Sequence, residues 1–326
     1  MGASAEATEV LDFFDEWQTV AAMLRRWPQY SSRSLLAAVE QLTQQTLLEA
    51  SNRKRAGESQ DVRALRKWGA WNPAAGFFHF NTKDVYTDEI AKEEIAYIRK
   101  LMESHALPRP AKSYPGARVV ELRGKGGSSE FPNVLRERRT WRKFSPGKVS
   151  GESLASLLEL SFAVQQWQTI PKAGKLAQKT SPSGGSLHPL EAYVLAQKVE
   201  GLAPGIYHYD AVGRRLQEVR RGGRAAEVEK LLAGQWWYRD AAIVVFLTAI
   251  FSRTQWKYDY ARAYRAILIE AGHLCQTFCL TATWLGLAPF CTIAMKDSAI
   301  EKALRVDGIS ESVIYAMGAG VRPIEK

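Results

Sequence analysis

The chain has 326 residues, of which 46% are hydrophobic and 24% are charged, a composition typical of globular proteins and unlike that of disordered or fibrous ones. Its formal net charge of +10 indicates an anionic partner, such as a phosphorylated cofactor, a nucleic acid or an acidic peptide. No apolar run is long enough to cross a membrane and the first residues do not resemble a signal peptide, so we expect a cytoplasmic protein.

Residues 1–117 are predicted to form a mostly helical N-terminal subdomain. Ser31 and Ser32 precede the apolar pattern SRSLLAAVEQL, and serine is a preferred residue at the N-cap of a helix. A charged loop, residues 52–61, follows. Helices followed by such a loop are compatible with a winged-helix module that contacts a leader peptide or a partner protein. They are equally compatible with a helical subdomain that binds nothing.

An aromatic stretch, residues 68–84, contains His79 among phenylalanines, and we expect this histidine to be a packing residue rather than a catalyst. Asp88 begins a further predicted helix, with acidic residues in the first turn where the helix dipole favours them. Three prolines then fall within residues 107–117. Because such a composition is typical of a semi-rigid connector, the second domain is predicted to comprise residues 118–326.

The second domain begins with a basic stretch, FPNVLRERRTWRKF, that the pattern predicts to be helical. Arg138, Arg139 and Arg142 lie close together in it, with Thr140 between them. Arginine side chains bind phosphate oxygens in bidentate geometry, so this group is a candidate phosphate site. A solvated basic face and a nucleic-acid contact are the two alternatives.

A predicted loop from Thr180 to Pro189, TSPSGGSLHP, precedes a series of predicted strands. Its two adjacent glycines allow the backbone to approach a flat ligand closely. The strands are EAYVLAQKV, then GIYHYDAVGRRLQEVRR with a hairpin turn at residues 211–214, AAIVVFLTAI, LAPFCTIAM and SVIYAMGAGVRP. Together with helices, one of them with Ser150 as its N-cap, they predict an α+β fold around an antiparallel or mixed sheet.

The stretch from Trp256 to Leu287 is predicted to be one long helix buried within the fold, because apolar residues occupy most of its circumference. Lys257 and Tyr258 would lie at its N-terminus, where free backbone N–H groups favour anions. Buried polar residues need hydrogen-bond partners from protein or ligand. The helix carries three such residues at steps of three: Glu270, His273 and Gln276.

The three cysteines have the spacing of neither a disulfide framework nor a known metal site. They are Cys275, Cys279 and Cys291. We expect them to be small buried hydrophobic residues, and we predict no bound metal. Any redox chemistry would therefore depend on a bound cofactor.

Four separated motifs resemble those of nitroreductase-fold flavoproteins, and in particular those of the peptide azoline dehydrogenases of the SagB and ThcOx type. RRTWRKF at 138–144 resembles the signature R-R-S-x-R-x-F, and PSGGSLHPLE at 182–191 is similar to P-S-x-G-x-L-[YH]-P-x-E. GIYHYD at 205–210 resembles G-[VI]-Y-x-Y-D. The KY, YR and EAGHLCQ elements between 257 and 276 resemble the pattern K-Y…Y-R…E-A-G-H-x-x-Q. The resemblance covers about residues 131–322, in the same order and with similar spacing.

This resemblance implies an FMN enzyme that forms a homodimer with its flavin sites at the subunit interface. The residues implied to bind the phosphate and the flavin pyrimidine edge are Arg138, Arg139, Thr140 and Arg142, with Arg322 as a second phosphate ligand. The residues implied to approach the isoalloxazine ring, from the same chain or from the partner subunit, are Pro182, Ser183, Gly184, Gly185 and Ser186. Further implied cofactor contacts are Gln276 and, near flavin N5, Thr292, Ile293, Ala294 and Met295. These last four depart from the usual P-[IV]-x-G.

By the same resemblance, Lys257 and Tyr258 are the catalytic residues. Oxidation of an azoline to an azole removes a Cα proton and delivers a hydride to flavin N5, and O2 would reoxidise the flavin. The unperturbed pKa values of tyrosine and lysine side chains are about 10 and about 10.4, so a base of either type needs an environment that favours its deprotonated form. We assign Tyr258 as the base and Lys257 as its electrostatic partner. The reverse assignment, and a structural role for both, stay open.

Two other functions are compatible with the sequence. The first is an NAD(P)H-dependent reductase of nitro compounds or quinones with the same fold. The second is a module that binds a peptide or DNA. Nucleic-acid binding is the least expected, because a phosphate ligand accounts for the arginines. The expected partner is therefore a peptide or small-molecule substrate, and the sequence does not identify it.

Overall fold

The computed structural model describes residues 5–44, 47, 48, 50, 51, 60–85, 100, 103, 127, 129–171, 174–223 and 225–324. The chain divides into two compact units, residues 1–62 and residues 63–326. The predicted connector 107–117 and most of the helix predicted from Asp88 lie outside the described residues.

The first unit consists of helices α1 (Ala5–Phe13), α2 (Val20–Arg26) and α3 (Ser32–Gln44). The Ser31 hydroxyl accepts a hydrogen bond of 3.1 Å from the Ser34 amide, so the predicted N-cap is confirmed. The helices pack around a small apolar core formed by Val10, Met23, Leu35 and Leu42. Residues 52–59, where a wing would be expected, lie outside the described part of the chain, so the winged-helix assignment stays a prediction.

Two further helices, α4 (Gln60–Trp68) and α5 (Asn72–Asn81), carry the aromatic stretch. His79 on α5 is only 4% exposed. Its Nδ1 lies 2.9 Å from the Tyr264 hydroxyl and its Nε2 lies 3.1 Å from the Ser312 hydroxyl. Burial, together with the charge of Lys83, lowers the pKa of His79 to about 3, so the imidazole is neutral. The prediction that His79 is a packing residue is confirmed.

The second unit is built around a six-stranded sheet in the order β5-β4-β3-β6-β8-β7, and neighbouring strands are antiparallel. Its strands are β3 (Leu190–Ala196), β4 (Gly205–Asp210), β5 (Arg215–Arg221), β6 (Ile243–Ile250), β7 (Leu287–Thr292) and β8 (Glu311–Val321). The β4–β5 hairpin turns where the sequence predicted, because Asp210 Oδ1 accepts hydrogen bonds from the amides of Val212 and Gly213.

Alternate residues of the central strands enter two separate cores, because side chains alternate across a sheet. On β6, Val245 and Leu247 face one core, and Val244 and Phe246 face the other. The first core contains helices α7 (Gly151–Phe162) and α10 (Tyr264–Trp284), and the second contains α8 (Ala225–Leu231) and α11 (Asp297–Leu304). The predicted α+β class is therefore confirmed, and Ser150 caps α7 as expected.

Two local predictions were wrong, and one element was missed. The long helix α10 begins at Tyr264, not at Trp256, and it follows a short helix α9 (Phe251–Gln255). The basic stretch is helical only in α6 (Glu130–Glu137), and its residues 138–144 are not helical. A hairpin of β1 (Gln166–Ile170) and β2 (Gly174–Gln178) was not predicted, because its mostly polar residues have little apolar pattern.

Candidate functional site

The predicted glycine-rich loop forms a tight turn at Ser183–Ser186, here called the Gly–Ser turn. Gly185 has a φ of 69°, a left-handed conformation that glycine adopts without strain. A Cβ atom added to Gly185 would lie 2.9 Å from the Tyr258 hydroxyl and 3.1 Å from the Lys257 ammonium nitrogen. The turn therefore lies against Lys257 and Tyr258. Two motifs that are separated by about seventy residues in the sequence meet at this point.

Glu270 of α10 fixes the other side of the turn. The Ser183 hydroxyl donates a hydrogen bond of 2.6 Å to Glu270 Oε2, and accepts one of 2.9 Å from the His188 amide. His188 Nδ1 lies 3.8 Å from Glu270 Oε1. Glu270 is 4% exposed, so the buried polar group predicted on the helix does find its partner within the protein.

Burial sets the protonation of this cluster. It raises the pKa of Glu270 to about 7, although the Ser183 hydrogen bond and the charge of Lys179 act in the opposite direction. Burial, with a contribution from Lys179, lowers the pKa of His188 to about 4. Burial also lowers the pKa of Lys179 itself. Near neutral pH the histidine is therefore uncharged, and Glu270 titrates in the physiological range.

Lys257 and Tyr258 follow the short helix α9 and do not lie at the N-terminus of α10, so the predicted dipole effect on them was wrong. The amides of both residues donate to the Thr254 carbonyl, which places them at the C-terminal end of α9. The Tyr258 carbonyl accepts a hydrogen bond of 2.8 Å from the indole of the fully buried Trp71. The Lys257 ammonium lies 5.3 Å from the centre of the Tyr258 ring, within cation–π range. Lys257 is exposed and Tyr258 half-buried.

The basic residues form a second group at the other end of α10. Arg138 caps the end of α6, and the Trp141 amide donates a hydrogen bond of 2.9 Å to the Pro289 carbonyl of β7. The Arg322 guanidinium lies 5.0 Å from the centre of the Trp141 ring, so the structure brings this distant arginine to the basic stretch. The Arg139 guanidinium is instead engaged by its own segment, because it donates a hydrogen bond of 2.9 Å to the carbonyl of Arg138.

Three guanidinium groups of this second group are available to an anion. Among the described residues, no carboxylate forms an ion pair with Arg138, Arg142 or Arg322. Arg138 and Arg322 are half-buried, whereas Arg142 and the neighbouring Thr140 are exposed. Arginines that are partly desolvated and unpaired with acid are well suited to a phosphate ester.

A cavity of about 430 Å³ lies between α5, α10 and the strand ends. Residues lining it include Phe78, Tyr264, Leu268, Gly272, Ile293 and Tyr315. A Cβ atom on Gly272 would meet no atom within 4 Å, so the helix leaves open space at this position. Of the predicted flavin N5 segment, Ile293 and Met295 line the cavity, and the Thr292 hydroxyl accepts a hydrogen bond from the Ala294 amide.

The remaining predicted residues lie outside both groups of contacts. Pro182 and Gln276 are exposed, and so is His273, the third polar residue of the helix. His273 and Gln276 belong to an exposed stripe of α10 that also contains Leu268, Ile269 and Gly272. The prediction that this helix is buried within the fold was therefore wrong for one side of it. Sequence reasoning missed Trp71 as a support for Tyr258, since nothing local marks a tryptophan that donates to a residue so distant.

Comparison with known proteins gives the class of this fold. The model of the Nitroreductase family matches residues 135–321, so the chain belongs to the nitroreductase family and the predicted nitroreductase-like fold is confirmed. None of the helices in the described part of the chain combines the length and hydropathy that a bilayer span requires.

Two relatives come from Rhizobium leguminosarum bv. trifolii. Trifolitoxin-processing protein TfxB is 26% identical over 175 residues, which cover 52% of this chain and 47% of TfxB. The chain thus spans about half the length of that relative. Trifolitoxin operon protein TfxC is 26% identical over 299 residues, covering 87% of this chain and 81% of TfxC. This member of the nitroreductase family is therefore similar in sequence to one trifolitoxin-processing protein and to one protein of the trifolitoxin operon.

A solved structure supports the fold over most of the chain. One chain of the E. coli microcin synthetase McbBCD complex with truncated pro-MccB17 bound superposes with a TM-score of 0.60 at 22% identity. The superposition covers 83% of this chain and 100% of that chain.

Proposed function

We propose that this protein is an FMN-dependent dehydrogenase that oxidises an azoline in a peptide or peptide-like intermediate to the corresponding azole. The observation that carries the proposal is the contact of Gly185 with Lys257 and Tyr258. This contact joins the glycine-rich motif to the pair that resembles the catalytic pair of the azoline dehydrogenases. The relation to a trifolitoxin-processing protein supports a peptide as the substrate.

The residues present fit FMN by charge and by shape. Arg138, Arg142 and Arg322 offer guanidinium groups to the phosphate, and the cavity beside Gly272 is lined by aromatic and apolar side chains that suit a planar ring. When bound, FMN supplies the acceptor for the hydride. The chain itself then has to hold the substrate ring and remove the Cα proton.

Proton removal is assigned to the Lys257–Tyr258 pair. The Trp71 indole fixes the backbone of Tyr258, and Gly185 lies against both side chains. Tyr258 would accept the Cα proton at its phenolic oxygen, with the ammonium of Lys257 as the neighbouring cation.

A homodimer would complete the site. The Gly–Ser turn lies against Ala266 at the start of α10, whereas Arg138 lies near Cys279, further along the same helix. At 1.5 Å per residue these positions are about 20 Å apart. If two copies of α10 pack through their exposed stripes in opposite directions, the turn of one subunit approaches the arginines of the other. The exposed Leu268 and Ile269 support this packing.

The experiment replaces both residues, as Lys257→Ala with Tyr258→Phe, and follows an azoline-containing peptide by mass spectrometry. We expect the loss of two hydrogen atoms from the peptide to slow by about 10²- to 10⁴-fold, the contribution typical of a general base, while FMN stays bound. Tyr260→Phe is the matched control, since Tyr260 lies beside Tyr258 but is 52% exposed.

Unchanged turnover in the double variant would exclude the assigned base. Rapid reduction of the flavin by NAD(P)H, with no response to any azoline peptide, would instead support the reductase alternative.

A further inference from the structure

The three cysteines of the chain meet at one point in the fold. Cys275 and Cys279 are buried on successive turns of α10, and Cys291 is half-buried on the neighbouring strand β7. The three Sγ atoms all lie within 4.8 Å of one another. Cys275 and Cys279 are neighbours because they lie one helical turn apart, and the fold brings Cys291 to them.

The spacing of the sulfur atoms is close to that of a metal-bound set. Metal–sulfur bonds to zinc are about 2.3 Å long, so three thiolates on one ion are separated by about 4 Å. The Sγ atoms lie at most 4.8 Å apart, so small movements of the side chains would bring them to this separation. In the part of the chain that the structure describes, this is also the one group of three or more potential metal ligands that lie so close together.

The surroundings suit a negatively charged metal–thiolate group. Arg138 lies close enough to act electrostatically on both Cys279 and Cys291, and Tyr315 lies beside the Cys291 sulfur. Outer groups of this kind offset the charge of the thiolates and orient them.

We propose that Cys275, Cys279 and Cys291 bind one thiophilic d¹⁰ metal ion, Zn(II) or Cu(I), through their three sulfur atoms. A donor set of thiolates without histidine or carboxylate selects soft ions over Mg²⁺, Ca²⁺ or Mn²⁺. Three sulfur ligands complete the coordination of Cu(I), whereas Zn(II) would take a fourth ligand, an oxygen from water or from Tyr315. The spacing of the cysteines did not predict this site, because the third ligand comes from a different element. The proposal does not rest on the proposed enzymatic function, and Arg138 takes part in both.

The test titrates the full-length, fully reduced chain without oxygen, using Zn(II) and Cu(I) in separate experiments. A chromophoric chelator competes for each ion. We expect one equivalent of at least one ion to bind with a Kd below micromolar, and protons to be released on binding. Cys291→Ser should weaken binding by more than about 100-fold, because even the loss of an outer partner costs 10- to 100-fold.

X-ray absorption of the loaded wild-type protein supplies a measurement that needs no variant. Three sulfur neighbours at about 2.3 Å would support the site. Failure of both ions to bind stoichiometrically, a shell of nitrogen and oxygen only, or equal binding by a folded Cys291→Ser variant would each overturn it. Far-ultraviolet circular dichroism establishes that the variant is folded.

Discussion

At the scale of single residues, Glu270 shows how a buried carboxyl group organises the candidate site. His188 is neutral, and its Nε2 lies 2.9 Å from the Ala177 carbonyl, which can only accept. Nε2 therefore carries the proton, and Nδ1 presents a lone pair towards Glu270. With Ser183 as the one close donor, the carboxylate is poorly compensated, and burial raises its pKa to about 7.

This shift makes the stability of the fold depend on pH. In the unfolded chain the carboxyl group ionises near its ordinary value of 4.5, whereas in the folded chain it ionises near 7. Between these values the folded state holds a proton that the unfolded state has released, so raising the pH across this window lowers the free energy of unfolding. The loss is about 1.4 kcal/mol per pH unit at most.

Glu270→Gln should remove this dependence, because its amide can still accept from Ser183 and can donate towards His188. We expect the variant to gain stability relative to the wild type as the pH rises from 5 to about 7, and the difference to be constant above that. Urea unfolding at a series of pH values measures it. Glu152→Gln, an exposed carboxyl on α7, is the control and should follow the wild type. A difference between Glu270→Gln and wild type that does not change with pH would contradict the assigned titration.

The sequence could predict that Glu270 needs a partner, because it lies in an apolar helix, but not which partner. Ser183 belongs to a loop that was interpreted as a ligand contact, and the two motifs were connected only by a family resemblance. Their hydrogen bond depends on the packing of the turn against α10, which no local pattern encodes.

At the scale of elements, the strands and most helices were predictable because burial gives them a clear pattern. β6 is a continuous apolar run that lies at the centre of the sheet. The beginning of α10 was not predictable, because residues 256–263 contain no proline and few poor helix formers. There the Tyr258 carbonyl bonds to the distant indole of Trp71 instead of continuing a helix.

The helix predicted for residues 138–144 of the basic stretch was wrong for a similar reason. Its sequence is compatible with a helix, but backbone hydrogen bonds from Trp141 to Pro289 and from Ser145 to Val321 hold it beside strands β7 and β8. The structure places Arg322 against Trp141, a residue of the same stretch as Arg138 and Arg142. The chemistry of the arginines could thus be predicted from the sequence, whereas their arrangement could not.

The exposed stripe of α10 leads to a prediction about assembly. Ile269 is 58% exposed in the single chain, and Ile269→Glu would introduce a charge into the proposed interface between two copies. We expect this variant to be monomeric by analytical ultracentrifugation and to bind FMN more weakly than the wild type.

Val212→Glu is a matched control, because Val212 is an apolar residue that is 62% exposed but lies in the β4–β5 turn. It should remain dimeric. A wild-type protein that is monomeric while FMN is bound, or an Ile269→Glu variant that dimerises normally, would contradict the shared site.

At the scale of the whole molecule, two groups of candidate site residues lie at different positions along one helix. The Gly–Ser turn with Lys257 and Tyr258 lies near the start of α10, and the arginines lie near its other half. Each group was predicted separately from the sequence. The proposed FMN, shared between two subunits, would give both groups a common purpose.

The most direct measurement of this claim is an equilibrium titration of the cofactor-free protein with FMN, followed by flavin fluorescence. We predict one FMN bound per chain, and an affinity about 100-fold weaker in the variant Arg138→Ala with Arg142→Ala, since each charged hydrogen bond contributes roughly 1.5 to 3 kcal/mol. The control variant Arg215→Ala with Arg221→Ala, on the exposed strand β5, should bind as the wild type does. A protein that does not bind FMN, or that binds it equally well without Arg138 and Arg142, would contradict the account.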